Sequence, residues 1–378
     1  MQIAEPSFTF GIEEEYLLVD RDSRDLIAES RPGMMEACRD RLGDAVAPEF
    51  LRSQIEVATP VCSTPGEARD QIARLRGALG EIAADHGCAP VAASTHPFGN
   101  WLEQKPTEGE RYIQIDEDLQ LVARRLLTCG MHVHVGIEDP ELRIDLMNQA
   151  VYFLPHLLAL STSSPFWGGA ETGLMSYRLA VIDELPRAGL PERFQTLGDY
   201  ERVVNIMTGA GLIEDATKLW WDIRPSARFP TLEMRITDIC TQAADGLAIA
   251  AIFRCLCRML WRLRRNNQRW RIYSRTLVNE NRWRAQRYGF DRGLVDFGRG
   301  EVVPYADLLE EVLDLIEEDA AHFGCTGEIA HARTVLARGT GAHRQRAAWR
   351  AALDAGRSPG EALRGVVDML IDETLAPP

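Results

Sequence analysis

Three consecutive glutamates, Glu13, Glu14 and Glu15, stand inside an otherwise apolar run from Phe8 to Val19. Such a run reads as a strand. Strand side chains alternate, so Glu13 and Glu15 share one face and Glu14 points to the other. Two carboxylates roughly 7 Å apart on one covered face repel unless a cation lies between them. That spacing suits two neighbouring divalent ions. Other segments offer matching donors. Glu49 and Glu56 flank Phe-Leu-Arg-Ser-Gln-Ile, and Glu56 sits mid-strand between Ile55 and Val57. In Gly130–Gly136, His132 and His134 share a face while Met131, Val133 and Val135 oppose them. In Thr231–Asp238, Glu233 and Arg235 share a face. Taken singly, each has a plain explanation: a solvated strand face, hydrogen-bonded core histidines, a cross-strand ion pair. Together they are several strands, each presenting an acid or imidazole beside apolar residues. Glutamate oxygens with one or two histidines favour Mg²⁺ or Mn²⁺ over zinc, which prefers cysteine and histidine. Such a cluster fits phosphate chemistry, with arginines neutralising the remaining charge.

The rest of the chain narrows the chemistry. The 42 basic residues include only two lysines, Lys105 and Lys218, and neither lies in a Gly-Lys-Ser/Thr or Val-Ala-Ile-Lys context. The P-loop and the usual kinase lysine are therefore excluded. G-x-G-x-x-G, G-x-S-x-G and H-E-x-x-H are also missing. ATP, if used, must be held by metal ions and arginines. A net charge of −14 disfavours nucleic acid and anionic membrane as partners. Eight cysteines without a C-x-x-C pair read as reduced and mostly buried, which predicts a cytoplasmic protein. The longest apolar run, Leu247 to Phe253, is too short to cross a bilayer.

These residues need elements to hold them. Phe8–Val19, Gln54–Val61, Ala89–Ser94 and Thr128–Ile137 read as strands, and Trp220–Arg224 with Thr231–Thr237 as a late hairpin. Pro65–His86 reads as a helix, with Thr64 as N-cap and Gly87 just past its end. Asp139–Ser161 reads as another. From about residue 241 the pattern is helical, over Ala244–Trp270, Arg275–Tyr288, Tyr305–His322 and Ser358–Leu375. Strands among helices and loops, then a helical tail, predict an α+β fold with a largely antiparallel sheet.

The motifs resemble the type 2 glutamate–cysteine ligases, or carboxylate–amine ligases. The carrying segments are Gly11–Tyr16, Thr95-His-Pro97, Gly130–His134, Ser164–Trp167, Thr172-Gly173, Ser176–Arg178, Glu233–Arg235, Asn281–Ala285 and Arg287–Gly289. The resemblance implies one catalytic domain over residues 1–378 with a glutamine-synthetase-like fold. In that fold a curved, largely antiparallel sheet forms an active-site cradle, with helices outside. It also implies ATP and Mg²⁺ (or Mn²⁺). Glu13, Glu15, Glu49, Glu56, His132 and Glu233 fall on the metal-ligand positions. Glu13, His132 and Glu233 are expected to hold one ion, and Glu15, Glu49 and Glu56 another. Arg235 is expected near the transferred phosphate, Arg178 and Arg287 as anion contacts, and Arg284 and Arg287 near the nucleotide. Gly168–Glu171 departs from the family pattern and leaves substrate preference open. L-glutamate and an amine, with L-cysteine as the named candidate, are the implied substrates, and a homodimer is expected.

An activated carboxylate explains why no nucleophile motif is needed. ATP converts the carboxylate to an acyl phosphate, and the amine then displaces phosphate to give an amide. Two rival chemistries use the same residues: a metal-dependent phosphoryl transferase of related fold, and a zinc hydrolase built on His132 and His134. Arg254–Arg287 holds eleven arginines against one acid, Glu280. Its first half reads as the solvated or interface face of an amphipathic helix.

Overall fold

The first acidic run folds as one long strand, β1 (Phe10–Asp20), at the centre of the sheet. The computed structural model describes residues 4–378. Six more strands join β1: β2 (Val46–Pro48), β3 (Gln54–Ala58), β4 (Cys88–Val91), β5 (Met131–Gly136), β6 (Ile223–Pro225) and β7 (Thr231–Met234). The order is β6-β7-β5-β1-β3-β2, with β4 also on β1. Every pairing in this sheet is antiparallel. Along one side of β1, β5 covers Phe10–Glu14 and β4 takes over at Leu17–Asp20. β3 runs along the other side, from Glu13 to Leu17. The fold is therefore the α+β class expected, with an open antiparallel sheet.

Register decides which side chains meet, because directly opposed residues project from the same face. Glu13 faces His132, Glu15 faces Glu56, and Glu233 faces His134. The opposite face carries Ile12, Tyr16, Met131, Val133, Leu232 and Met234, all buried. Glu14 points into this core and is 1 % exposed. A charge so placed needs full pairing. Arg76, on helix α1 (Pro65–Asp85), supplies it with Nη2–Oε1 at 2.5 Å and Nε–Oε2 at 3.0 Å. Arg76 also donates to the carbonyls of Cys240 and Thr241, at 2.9 and 2.7 Å.

Helix α1 begins at the expected N-cap, Thr64, which forms a capping box with Glu67. Gly87, just past its C-cap, has φ +70°. The helix expected over Asp139–Ser161 is two, Pro140–Ala150 and Leu154–Ser161, joined by a 3₁₀ turn. Pro155 sits in the first turn of the second helix, where its missing N–H costs no bond. The expected late hairpin forms only between β6 and β7. Trp220 and Trp221 pair in parallel with Ala188–Gly189 instead. Tyr305–His322 breaks at Ile316 into two helices, and the last helix opens with a Ser358–Glu361 capping box.

The arginine stripe is an interface face at its start and solvated at its end: Arg254 and Arg258 are buried, Arg262 is half-buried and Arg265 is exposed. It lies on helix α2 (Ala243–Arg265), which is buried almost to its end. Arg254 donates to the carbonyls of Phe8 and Ser63 at 2.6 and 2.9 Å. Arg258 and Arg262 both bind Asp319, on the helix Glu317–Phe323, which is fully buried. The stripe fastens the start of the chain and the helical tail to the core. All eight cysteines are buried and unbridged. Among the described residues no helix is long and apolar enough to cross a membrane.

Candidate active site

Glu13, Glu15, Glu56, His132, His134 and Glu233 converge on the front face of the sheet. With Glu49, at the end of β2, they line a cleft of about 310 Å³. His132 Nδ1 lies 3.2 Å from Glu13 Oε2, and His134 Nε2 lies 3.2 Å from Glu13 Oε1. His132 Nε2 is 3.7 Å from Glu15 Oε1. Three sets of donor atoms fall within 4.8 Å of one another: Glu13, His134 and Glu233; Glu13, Glu56 and His132; and Glu15, Glu49 and Glu56. The third set is the trio expected from sequence. The other expected trio is not formed, because register places Glu233 opposite His134 while His132 sits opposite Glu13. His134 takes the place expected of His132 beside Glu13 and Glu233.

The electrostatics of this cluster fit a cation. Burial raises the Glu56 carboxyl well above its ordinary range, and Glu49, Glu13 and Glu15 push it further. Glu15 is also raised, first by burial. Burial works the same way on Glu13, but the two imidazoles beside it hold it well below the usual range. Burial lowers His132, and Arg235 adds to this, so its ring is neutral at neutral pH and keeps a lone pair to donate. The Nε2 atoms of His132 and His134 are buried and have no hydrogen-bond partner, despite carboxylate oxygens close by. Buried nitrogens of this kind normally have partners. Glutamate oxygens with single imidazoles are the donor set of Mg²⁺ or Mn²⁺.

Glu233 is held from two sides. Arg224, opposite it across the β6–β7 pair, makes a two-point contact with Nε–Oε2 at 2.9 Å and Nη2–Oε1 at 3.1 Å. Arg235 Nη1 contacts the same carboxylate and lies 3.4 Å from His132 Nδ1. Against the cost of burial, Arg235 and then Arg224 keep Glu233 well below the usual carboxylate range.

The other expected arginines lie elsewhere. Arg178, buried on the helix Tyr177–Ile182, donates to the carbonyls of Ile236 and Arg235 at 3.3 and 3.1 Å. It fills the space beside Gly130, supports the residues after β7, and does not line the cleft. Arg284 bonds the carbonyls of Arg292 and Gly293, and Arg287 that of Gly173. Their helix, Arg275–Tyr288, packs against Leu154–Ser161. Among the described residues the cleft's arginines are Arg224, Arg228 and Arg235. Arg224 and Arg228 were not singled out from sequence. Arg224 had a signal, since it alternates with Ile223 and Pro225 on the strand just before the one that carries Glu233. Other motif segments meet behind the site at Asp238, which is fully buried. It accepts from Ser163 N, Ser164 Oγ and Ser176 Oγ, each at 2.8 Å.

The chain thus has an open antiparallel sheet with glutamates and imidazoles gathered on one face. The chain belongs to glutamate–cysteine ligase family 2, whose model matches residues 9–369. It is an ATP-dependent carbon–nitrogen ligase. A relative from Rhodospirillum rubrum, provisionally named glutamate–cysteine ligase 2, is 61 % identical over 377 residues, covering 99 % of this chain and 97 % of the relative. A second, from Paracoccus denitrificans and named in the same way, is 50 % identical over 369 residues and covers 98 % of each chain. The fold resembles that of a bifunctional glutathione synthetase from Pasteurella multocida at a TM-score of 0.69 and 14 % identity. That match covers 97 % of this chain and 52 % of the longer protein, about half its length. It also resembles a glutamate–cysteine ligase from Francisella tularensis, solved with AMP, at a TM-score of 0.64 and 13 % identity. Here 99 % of this chain and 93 % of the other are covered. Family membership sets aside the phosphoryl transferase. It sets aside the zinc hydrolase as well.

Proposed function

We propose that this ligase activates the side-chain carboxylate of L-glutamate with ATP and joins it to the amine of an amino acid, L-cysteine being the first candidate. The observation that carries this reading is the run of three overlapping acid and imidazole sets on one sheet face. Glu13, Glu15, Glu49, Glu56, His132, His134 and Glu233 would hold divalent ions, Mg²⁺ or Mn²⁺. Such ions, when bound, screen the phosphates from the incoming carboxylate and polarise the γ-phosphoryl group.

The chain's own residues do the rest. Arg235, beside Glu233 and His132, is placed to hold an oxygen of the transferred phosphoryl group. Arg224 keeps Glu233 ionised and oriented. Displacement of phosphate by the amine completes the amide and needs no protein nucleophile. The buried, unbridged cysteines support a reducing, cytoplasmic setting. The test is ADP release with Mg²⁺, ATP and L-glutamate across a panel of amines. Amine-dependent release with an amide product supports the reading. Release that no amine stimulates overturns it.

A further inference from the structure

Next to the acidic cleft lies a second cavity, of about 620 Å³. Ile115 and Trp220 line both. One wall of the second cavity is the helix Glu110–Leu119, and the other is formed by the segments around Arg187 and Glu214–Trp220. Lys218, one of the chain's two lysines, faces this space and is only 8 % exposed. Among the described residues its one ion pair is with Glu214, at 3.5 Å, and that carboxylate is 61 % exposed. A nearly buried ammonium so weakly matched leaves positive charge to be met. Arg187 adds to it. Its guanidinium lies over the Trp220 ring at 5.4 Å and donates from Nε to the Lys218 carbonyl at 3.3 Å. No described carboxylate forms an ion pair with it. Arg187 also has φ +62°, a left-handed backbone that a non-glycine residue holds only against a steric cost.

We infer that this annex is an amino-acid subsite, in which Lys218 and Arg187 bind the α-carboxylate of a substrate. The inference rests on the ligase reading above. Asp118 and Glu214, on the rim, supply acids for the substrate's ammonium group. The annex is also tied to the metal cleft. Arg224, which grips Glu233, donates from Nη1 to the carbonyls of Thr217 and Leu219 at 2.8 and 2.9 Å. The backbone on either side of Lys218 is thus pinned to the partner of a proposed metal ligand. A substrate held here reaches the reacting centre past Trp220.

The test compares wild type with Lys218→Met and Arg187→Asn. Methionine keeps the packing of the lysine stem, and asparagine accepts a left-handed backbone. KM is measured separately for ATP, for the carboxylate donor and for the amine acceptor. Each amino acid is also paired with an analogue lacking the α-carboxylate. The expected result is a rise of about ten- to hundredfold in one amino acid's KM, as for the loss of a charged hydrogen bond. The KM for ATP stays within about twofold, and the preference for the α-carboxylate disappears. A rise for the acceptor assigns the annex to the acceptor, and a rise for the donor assigns it to the donor. Calorimetric titration of each amino acid and its analogue reads the same discrimination without turnover. Unchanged KM values and an intact preference in both variants overturn the inference. Failure of the ligase reading itself would appear in the wild type, as ADP release that no amine stimulates.

Discussion

Arg224 and Glu233 stand directly opposite each other on β6 and β7 and are joined by two hydrogen bonds, of 2.9 and 3.1 Å. The remaining Arg224 donor, Nη1, goes to backbone carbonyls. Such a fork suits a planar guanidinium and not an ammonium. Arg224→Lys keeps the charge but loses the fork. It is expected to weaken Mn²⁺ binding and ADP release by about ten- to hundredfold, as for loss of a group that orients a metal ligand. Calorimetry and a coupled ADP assay measure the two effects. Full activity in the lysine variant would show that charge alone suffices.

Neighbouring glutamates on β1 should fail in opposite ways. Glu13→Gln removes a donor shared by two of the three sets, so ADP release should vanish while the melting temperature stays near wild type. Arg76→Leu strands the buried Glu14 charge, and stability should fall by about 3–5 kcal/mol. Urea unfolding and the ADP assay separate the two behaviours.

Metal binding should depend on pH. Glu56 is raised well above its ordinary range by burial and by Glu49, Glu13 and Glu15, so in the free protein it keeps its proton to a higher pH than an ordinary carboxylate. A metal must displace that proton, so affinity rises with pH and binding releases protons. Mn²⁺ titration between pH 6 and 8, in buffers of differing ionisation enthalpy, measures both. Equal affinity across that range with no proton release would contradict the assignment.

Acid should weaken the fold through two histidines far from catalysis. Burial lowers His96 and His156 to about 4. Both are neutral in the folded protein, whereas the unfolded chain takes up protons below about 6.5. Their stabilising effect is therefore complete above that pH and is lost as the pH falls towards 4. The limit is about 3 kcal/mol for each. Urea midpoints at pH 7.5, 6 and 5 should fall in that order, and His156→Leu should flatten the trend.

The strands of the site were legible because alternation is a local property. Glu13, Glu15, Glu56, His132 and Glu233 could each be placed on a face from their neighbours alone. Their pairing could not, because register depends on which strands meet. His134 was seen as a strand residue sharing a face with His132, yet only the β5–β7 register sets it against Glu233. The arginines were harder to place for a related reason. Sequence marks a guanidinium but not its partner, and Arg178, Arg284 and Arg287 satisfy backbone carbonyls. The stripe on α2 looked solvated because Asp319, which neutralises two of its members, lies more than fifty residues away.

β1 serves two masters at once, since one face builds the core and the other builds the site. A single-residue slip in it would send Glu14 into the cleft and Glu13 and Glu15 into the apolar interior. Its amides should be among the slowest in the molecule to exchange with deuterium. The proposed annex is built instead from the helix Glu110–Leu119 and the segments around Arg187 and Lys218, outside the main sheet. On the subsite proposed above, the molecule would separate a donor face fixed by the strand register itself from an amino-acid pocket built on helix and loop.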